Sequence, residues 1–191
     1  DRPLSSVHTI RSLAREVAAR ELPVDLSAVV TFVEPDLVQV FIADETGGIY
    51  THTETPVPGT LKSGDQVRVV GITSPGDFAP SITVKSIVVT GAGRLPAPLH
   101  PKQRQLLAGS LDSQWMELEG IVRSARVNEA GNWVTLDVSS DGYRFDAEIP
   151  GMSPEGAQRL VDAEVRFRGV CASKWNAKRQ FSKVMLRVTL G

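Results

Sequence analysis

The feature that most restricts what this chain can fold into is an internal repeat: its second half retraces its first, element by element and in the same order. Val24, Leu26, Ala28 and Val30 alternate along one stretch, and Met116, Leu118, Gly120 and Val122 repeat that alternation 92 positions later. Apolar residues at every second position have the period of a half-buried strand, so both stretches read as the first strands of equivalent units. Val40 and Ile42 lead through Asp44-Glu45-Thr46-Gly47-Gly48 to Ile49 and Thr51, as Val134 and Leu136 lead through Ser139-Ser140-Asp141-Gly142 to Tyr143 and Phe145. Each pair predicts a β-hairpin whose glycine supplies the positive φ of the turn. Val67, Val69 and Gly71 match Val165, Phe167 and Gly169 as fourth strands, and Ile82 and Val84 answer to Val184 and Leu186 as fifth strands. One five-stranded pattern used twice needs two cores, and 191 residues with 41% hydrophobic content are enough to fill both.

Each unit also has a helical lead-in, predicted over 13–20 with Ser12 as N-cap and over 102–108 with Gly109 as the stop. Between the third and fourth strands, 154–160 predicts a short helix in the second unit, whereas 56–64 in the first reads as loop. The stretch Gly91-Ala92-Gly93-Arg94-Leu95-Pro96-Ala97-Pro98 breaks both periodicities and reads as a stiff linker, giving units at 1–93 and 94–191. Five short strands in a unit of this size suit a small, partly closed barrel. The expected fold is therefore mainly β: two tandem OB-like five-stranded barrels, each with a short N-terminal helix. A single sandwich of nine or ten strands is the competing architecture.

Little in the sequence points to chemistry. The 21 basic and 22 acidic residues leave a net charge of -1, so no global field draws the chain to nucleic acid or to an anionic membrane. His8, His52 and His100 have no metal-ligand spacing, and the lone Cys171 excludes an internal disulfide and any multi-cysteine metal site. No nucleophile elbow, phosphate-cradling loop or dinucleotide fingerprint is present. Asp44 and Glu45 are adjacent carboxylates, but neighbours at a strand end point apart, and acidic residues commonly open such turns. Cys171 follows Gly169-Val170 as Thr73 follows its own strand, and reads as a small buried side chain. The chain is accordingly read as non-enzymatic, with no catalytic residue, no cofactor and no metal. No apolar run approaches the roughly 20 residues of a membrane helix.

In OB-folds the ligand surface is the face of strands two and three with the loops joining strands one to two and four to five. In the first unit, alternation turns Gln39, Phe41, Tyr50 and His52 outward, a polar-aromatic patch without a cation that suits a small ligand or a protein partner. The loop 74–80 is stiffened by two prolines and offers Asp77 and Phe78 as a fixed edge, although a lone aromatic in such a loop more often plugs the barrel end. In the second unit, the corresponding loop interleaves Lys174, Trp175, Asn176, Lys178, Arg179 and Gln180, the mixture that single-strand binders use for stacking and phosphate contact. Against that, Glu117, Glu119, Asp137, Asp146 and Glu148 are placed on the outward face of the same barrel, where a phosphate backbone would lie. Nucleic acid is therefore possible but disfavoured as a partner, behind a small ligand or a protein, and a third reading is a structural scaffold whose barrel faces contact neighbouring domains and sense nothing.

The strings Phe41-Ile42-Ala43-Asp44-Glu45-Thr46-Gly47-Gly48-Ile49, Gly76-Asp77-Phe78-Ala79-Pro80, Asp112-Ser113-Gln114-Trp115 and Asn176-Ala177-Lys178-Arg179-Gln180 are informative together. In that order, with Thr9-Ile10-Arg11-Ser12-Leu13 before them and the linker ending Leu95-Pro96-Ala97-Pro98, the chain resembles the extracytoplasmic N-terminal region of bacterial membrane-bound sensor histidine kinases of the acidobacterial type. The resemblance implies a periplasmic, ligand-sensing part of a two-component signal-transduction protein, with a leader before Asp1. It further implies a membrane span and signalling domains after Gly191, so that membrane contact belongs to flanking segments alone. It transfers no catalytic residue and names no ligand. The last loop departs from the pattern, carrying Lys174-Trp175 and Ala177 where the family has an aliphatic-aromatic pair before Asn and an Arg after it.

Overall fold

A computed structural model of the chain describes residues 2–34, 36, 38–54, 56–172, 174–175 and 181–190, with the backbone alone at 174, 175, 181 and 182. The chain divides into two compact units, Asp1–Pro96 and Ala97–Gly191.

In the first unit, β1 (Pro23–Val33), β2 (Gln39–Asp44), β3 (Gly47–Thr53), β4 (Asp65–Ser74) and β5 (Ser81–Ala92) close into a barrel in the order β1-β2-β3-β5-β4. β3 and β5 run parallel, while β1 and β4 pair antiparallel to shut the barrel. The second unit repeats this plan with β6 (Trp115–Val127), β7 (Trp133–Ser140), β8 (Tyr143–Pro150), β9 (Glu164–Cys171) and β11 (Phe181–Arg187). β8 and β11 are parallel, β6 and β9 antiparallel, and β11 meets β9 at Leu186↔Cys171 and Arg187↔Val170. The two-residue β10 (Lys174–Trp175), which the repeat does not predict, pairs antiparallel with β11. Both units are OB-folds, and the single-sandwich alternative is overturned because each set of strands closes on itself.

The repeat extends to the irregularities. β1 and β6 each carry a bulge at matching positions, between Val30 and Phe32 and between Val122 and Ser124. Each strand pairs with the fourth strand up to Val29 or Ile121 and with the second from that residue onward, so the extra residue of the bulge lies just past the point where the strand changes partner. Gly71 in β4 and Gly169 in β9 are also equivalent. A Cβ on either would lie within 3.0 Å of a backbone carbonyl oxygen of the fifth strand, that of Thr83 or of Arg187. Only glycine lets the fourth and fifth strands approach this closely.

Alternating residues fill the two cores as the pattern requires. Val24, Leu26, Ala28, Val30, Val40, Ile42 and Ile49 pack in the first, and Met116, Leu118, Val122, Leu136, Phe145 and Phe167 in the second. The lead-in of the first unit differs from expectation: α1 spans Val7–Arg11 and α2 spans Arg15–Ala18, instead of one helix over 13–20. Ser12 caps nothing N-terminal; it ends α1, and its hydroxyl donates back to the His8 carbonyl at 2.7 Å. Val7 and Ile10, one turn apart, are fully buried and draw α1 onto the barrel, a signal too short to register as periodicity. Thr73 then ties α2 down by donating to the Ala18 carbonyl at 2.7 Å and accepting from the Leu22 amide at 3.0 Å. In the second unit α3 (Gln103–Leu107) ends before Gly109 at φ +69. The helix α4 (Pro154–Gln158) has Ser153 as N-cap, accepting from the Gly156 amide at 3.0 Å.

Candidate functional site

Pairing of β2 with β3 sets Phe41 opposite Tyr50 and Gln39 opposite His52, on the side away from Val40, Ile42 and Ile49. The outward patch therefore exists, but its composition needs correcting. Phe41 is only 5% exposed and packs edge-to-face between Phe32 (centroids 6.2 Å apart) and Tyr50 (5.4 Å), so it supports the patch from beneath. Phe32 reaches this side because the β1 bulge resets the alternation beyond Val30. What the patch presents is the half-buried ring of Tyr50 and the exposed His52.

Two loops border it. In the loop 75–80, the Arg15 guanidinium donates to the carbonyls of Gly76 at 2.8 Å and Pro75 at 3.3 Å, and Gly76 sits at φ +56 with Ala79 folded close above it. The loop is thus held from α2, and it leaves Phe78 49% exposed. Phe78 does not plug the barrel; Val7 and Ile10 of α1 and Val57 and Leu61 of the third-to-fourth strand loop belong to that core instead. Burial pushes the Tyr50 phenol above its ordinary range, and the carboxylates of Glu34, Asp77 and Asp36 push it further in the same direction. Both bordering loops therefore bring negative charge toward one hydroxyl. Asp44, at the turn, has a structural role. Its carboxylate accepts from the Val7 amide at 2.8 Å at the start of α1, and from the Thr46 amide at 2.7 Å and hydroxyl at 2.6 Å.

The outward face of the second barrel also departs from expectation. Its five acidic residues do not form a repulsive field, because each is ion-paired. Asp137 takes a two-pronged contact from Arg144 at 3.0 and 2.8 Å, Asp146 meets Lys183 at 2.6 Å, and Glu148 meets Arg187 at 2.9 Å. Glu117 holds Arg168 at 2.6 Å, and Glu119 lies 3.5 Å from Arg166. Arg187 additionally stacks over Trp133, 4.7 Å from the ring centre. Composition agrees: Ala97–Gly191 holds 13 basic and 11 acidic residues, against 8 and 11 in Asp1–Pro96, so the second unit is the basic one. The arginines and Lys183 meet the acids, and Arg187 meets Trp133, only through strand register, so no local sequence pattern marks these contacts. Of the basic-aromatic loop, the backbone of Lys174 and Trp175 forms β10, while Asn176, Lys178, Arg179 and Gln180 lie outside the described residues. Cys171 is buried, as expected. Among the described residues no group of three or more His, Cys, Asp or Glu side chains could hold a metal ion.

No family model and no curated protein matches the chain. Among solved structures it is similar to a murine DNA-binding protein bound to double-stranded DNA, at 12% identity and TM-score 0.41 over 85% of this chain and 92% of that one. A replication protein A heterotrimer bound to single-stranded DNA matches at 12% identity and TM-score 0.40, over 93% of this chain and 49% of that one. An aspartyl-tRNA synthetase from Entamoeba histolytica matches at 18% identity and TM-score 0.36; the 48% of this chain that aligns spans 20% of the synthetase.

Proposed function

We propose that the chain is a non-catalytic recognition module of the extracytoplasmic part of a membrane-bound signalling protein, and that its ligand or protein partner contacts the first barrel. The observation that carries this reading is the convergence on Tyr50. The strand-two and strand-three face, where OB-folds take their ligands, presents Tyr50 over Phe41, with Glu34 and Asp36 on one side and Asp77 and Phe78 on the other. An aromatic surface bordered by carboxylates, with His52 as its exposed basic neighbour, suits a neutral or cationic partner and disfavours a polyanion. The resemblance of the ordered strings to sensor kinases supports the signalling context and the periplasmic location.

The test is a thermal-shift screen of metabolites, sugars, basic peptides and oligonucleotides, since anything that binds only the folded state raises its apparent stability. A hit lost in Tyr50→Ala and kept in Trp133→Ala supports the reading. Turnover of any hit by the purified chain would defeat the non-catalytic part. A second reading, single-stranded nucleic acid on the second barrel, is favoured by one observation: the outward acids there are neutralised by arginine and lysine. It predicts tryptophan quenching by oligothymidylate at low salt, with log K falling against log salt at a slope of about -2 for three phosphate contacts. A full-length reading frame that lacks an export leader would remove the periplasmic assignment.

A further inference from the structure

A groove on the second barrel, away from its strand-two and strand-three face, carries an arginine pair that plays no part in the proposed contact on the first barrel. Arg166 and Arg168 occupy alternate outward positions of β9, on either side of the buried Phe167, directly opposite Glu119 and Glu117 of β6. Glu117 is mostly covered, its side chain 10% exposed, and it acts as the anchor. It accepts from the Nε of Arg168 at 2.6 Å and lies 3.5 Å from the Nε of Arg166. His100 completes the cluster at 3.2 Å from Glu117, delivered by the segment whose Leu99 carbonyl accepts from the Glu117 amide at 2.9 Å. Both guanidiniums are thus engaged edge-on through Nε. Among the described residues, the Nη groups of neither arginine donate a hydrogen bond, and the two side chains remain 64% and 63% exposed. The free ends border a groove of about 360 Å³ whose other lining comes from Phe167, Val188 and Thr189.

We propose that this groove binds a phosphate monoester, its phosphate held between the outward ends of Arg166 and Arg168 and its organic part against Val188 and Thr189. Geometry selects the ligand class. Side chains two apart on a strand stand about 6.6 Å apart at the backbone, so a tetrahedral phosphate with three terminal oxygens can accept from both forks at once. A planar carboxylate fills one fork and leaves the other unused. Glu117 spends its charge beneath the arginines and fixes their orientation. Glu119 is 65% exposed and competes for Arg166 from the rim.

The test follows the arginine Nε–Hε resonances of the full chain during titration with phenyl phosphate, benzoate and oligothymidylate. Phenyl phosphate is expected to move the Arg166 and Arg168 signals. Losing the charge-assisted bonds of Arg166→Ala plus Arg168→Ala weakens binding about tenfold or more. Glu119→Gln, which removes the competing charge and leaves the anchor, tightens it. Benzoate binds more weakly than phenyl phosphate. Unmoved resonances, equal affinity in the double variant with an unchanged circular dichroism spectrum, or equal binding of benzoate would overturn the proposal. Tighter binding of oligothymidylate per phosphate would also overturn it, in favour of a nucleic-acid contact.

Discussion

Replacing Gly71 by alanine tests the barrel plan where the fourth and fifth strands of the first unit pass close together. The new methyl group would sit within 3.0 Å of the Thr83 carbonyl oxygen, with the Thr83 carbonyl carbon and the Ile82 side chain next nearest. The obstacle is backbone, so no rotamer change relieves it, and β4 and β5 must move apart where they are hydrogen-bonded neighbours in the barrel. Overpacking of this kind costs about 1–3 kcal/mol, against which the stiffer unfolded chain returns about 0.4–1 kcal/mol. A net loss of about 1–2 kcal/mol lowers the melting temperature of a unit this size by roughly 5–15 °C. The effect is steric alone, since Gly71 is not among the glycines of positive φ. Gly91→Ala is the control: it lies in the neighbouring strand β5, where an added methyl would meet nothing within 4 Å, and is expected to leave stability unchanged or raise it slightly. Gly169→Ala should reproduce the Gly71 result in the second barrel, where the obstacle is the Arg187 carbonyl. The assay separates the two, because Trp115, Trp133 and Trp175 all lie in the second unit and report its unfolding by fluorescence, while far-ultraviolet dichroism follows both. A Gly71→Ala protein melting with wild type, or a Gly91→Ala protein losing as much, would show that the close approach of the two strands does not govern stability here.

Three further outcomes are expected. Asp44→Ala removes the acceptor for the Val7 amide and for Thr46, and should cost about 1–2 kcal/mol in urea unfolding; an unchanged midpoint would mean that α1 does not depend on it. Tyr50 should ionise above the ordinary tyrosine range in an absorbance titration that Tyr50→Phe simplifies to Tyr143 alone. Because its folded-state affinity for the proton is raised, stability falls as pH climbs past about 10, and a Tyr50→Phe variant should lose less there. At the acid end, the Arg68 hydrogen bond holds the Asp25 carboxyl below its ordinary value, and the Arg168 hydrogen bond, with His100 and Arg166, does the same for Glu117. The stability these pairs supply is present above the unfolded carboxyl range and is lost as pH falls from about 4 downward. Asp25→Asn and Glu117→Gln should flatten that limb, and an acid limb as steep as wild type in the double variant would contradict the assignment.

The architecture was legible because it depends on period. Alternation in Val24 to Val30 and in Met116 to Val122 places equivalent side chains inward in both barrels. The match of Gly71 to Gly169 is equally plain, whereas their close approach to the fifth-strand backbone is visible only in the structure. The lead-in of the first unit was not legible: α1 contributes only Val7 and Ile10 to the core, and Ser12 serves the end of one helix rather than the start of another. At the strand-two and strand-three face of the first barrel, alternation correctly turns Phe41 outward but cannot say that Phe32 and Tyr50 enclose it, since that depends on a bulge. The acidic face misled for a related reason. Glu117 and Glu119 are plain from the pattern, whereas their neutralisation by Arg168 and Arg166 rests on the register of β6 against β9, far apart in the chain.

The proposed recognition surface is tested most directly by amide and side-chain shift mapping of the intact chain with the first ligand to stabilise it. The perturbed signals are expected to gather on one barrel face, at Tyr50, His52, Asp77 and Phe78, with little change at Trp133 and Arg144. Perturbations confined to the second barrel, or spread evenly over both, would rule out the first barrel as the recognition surface.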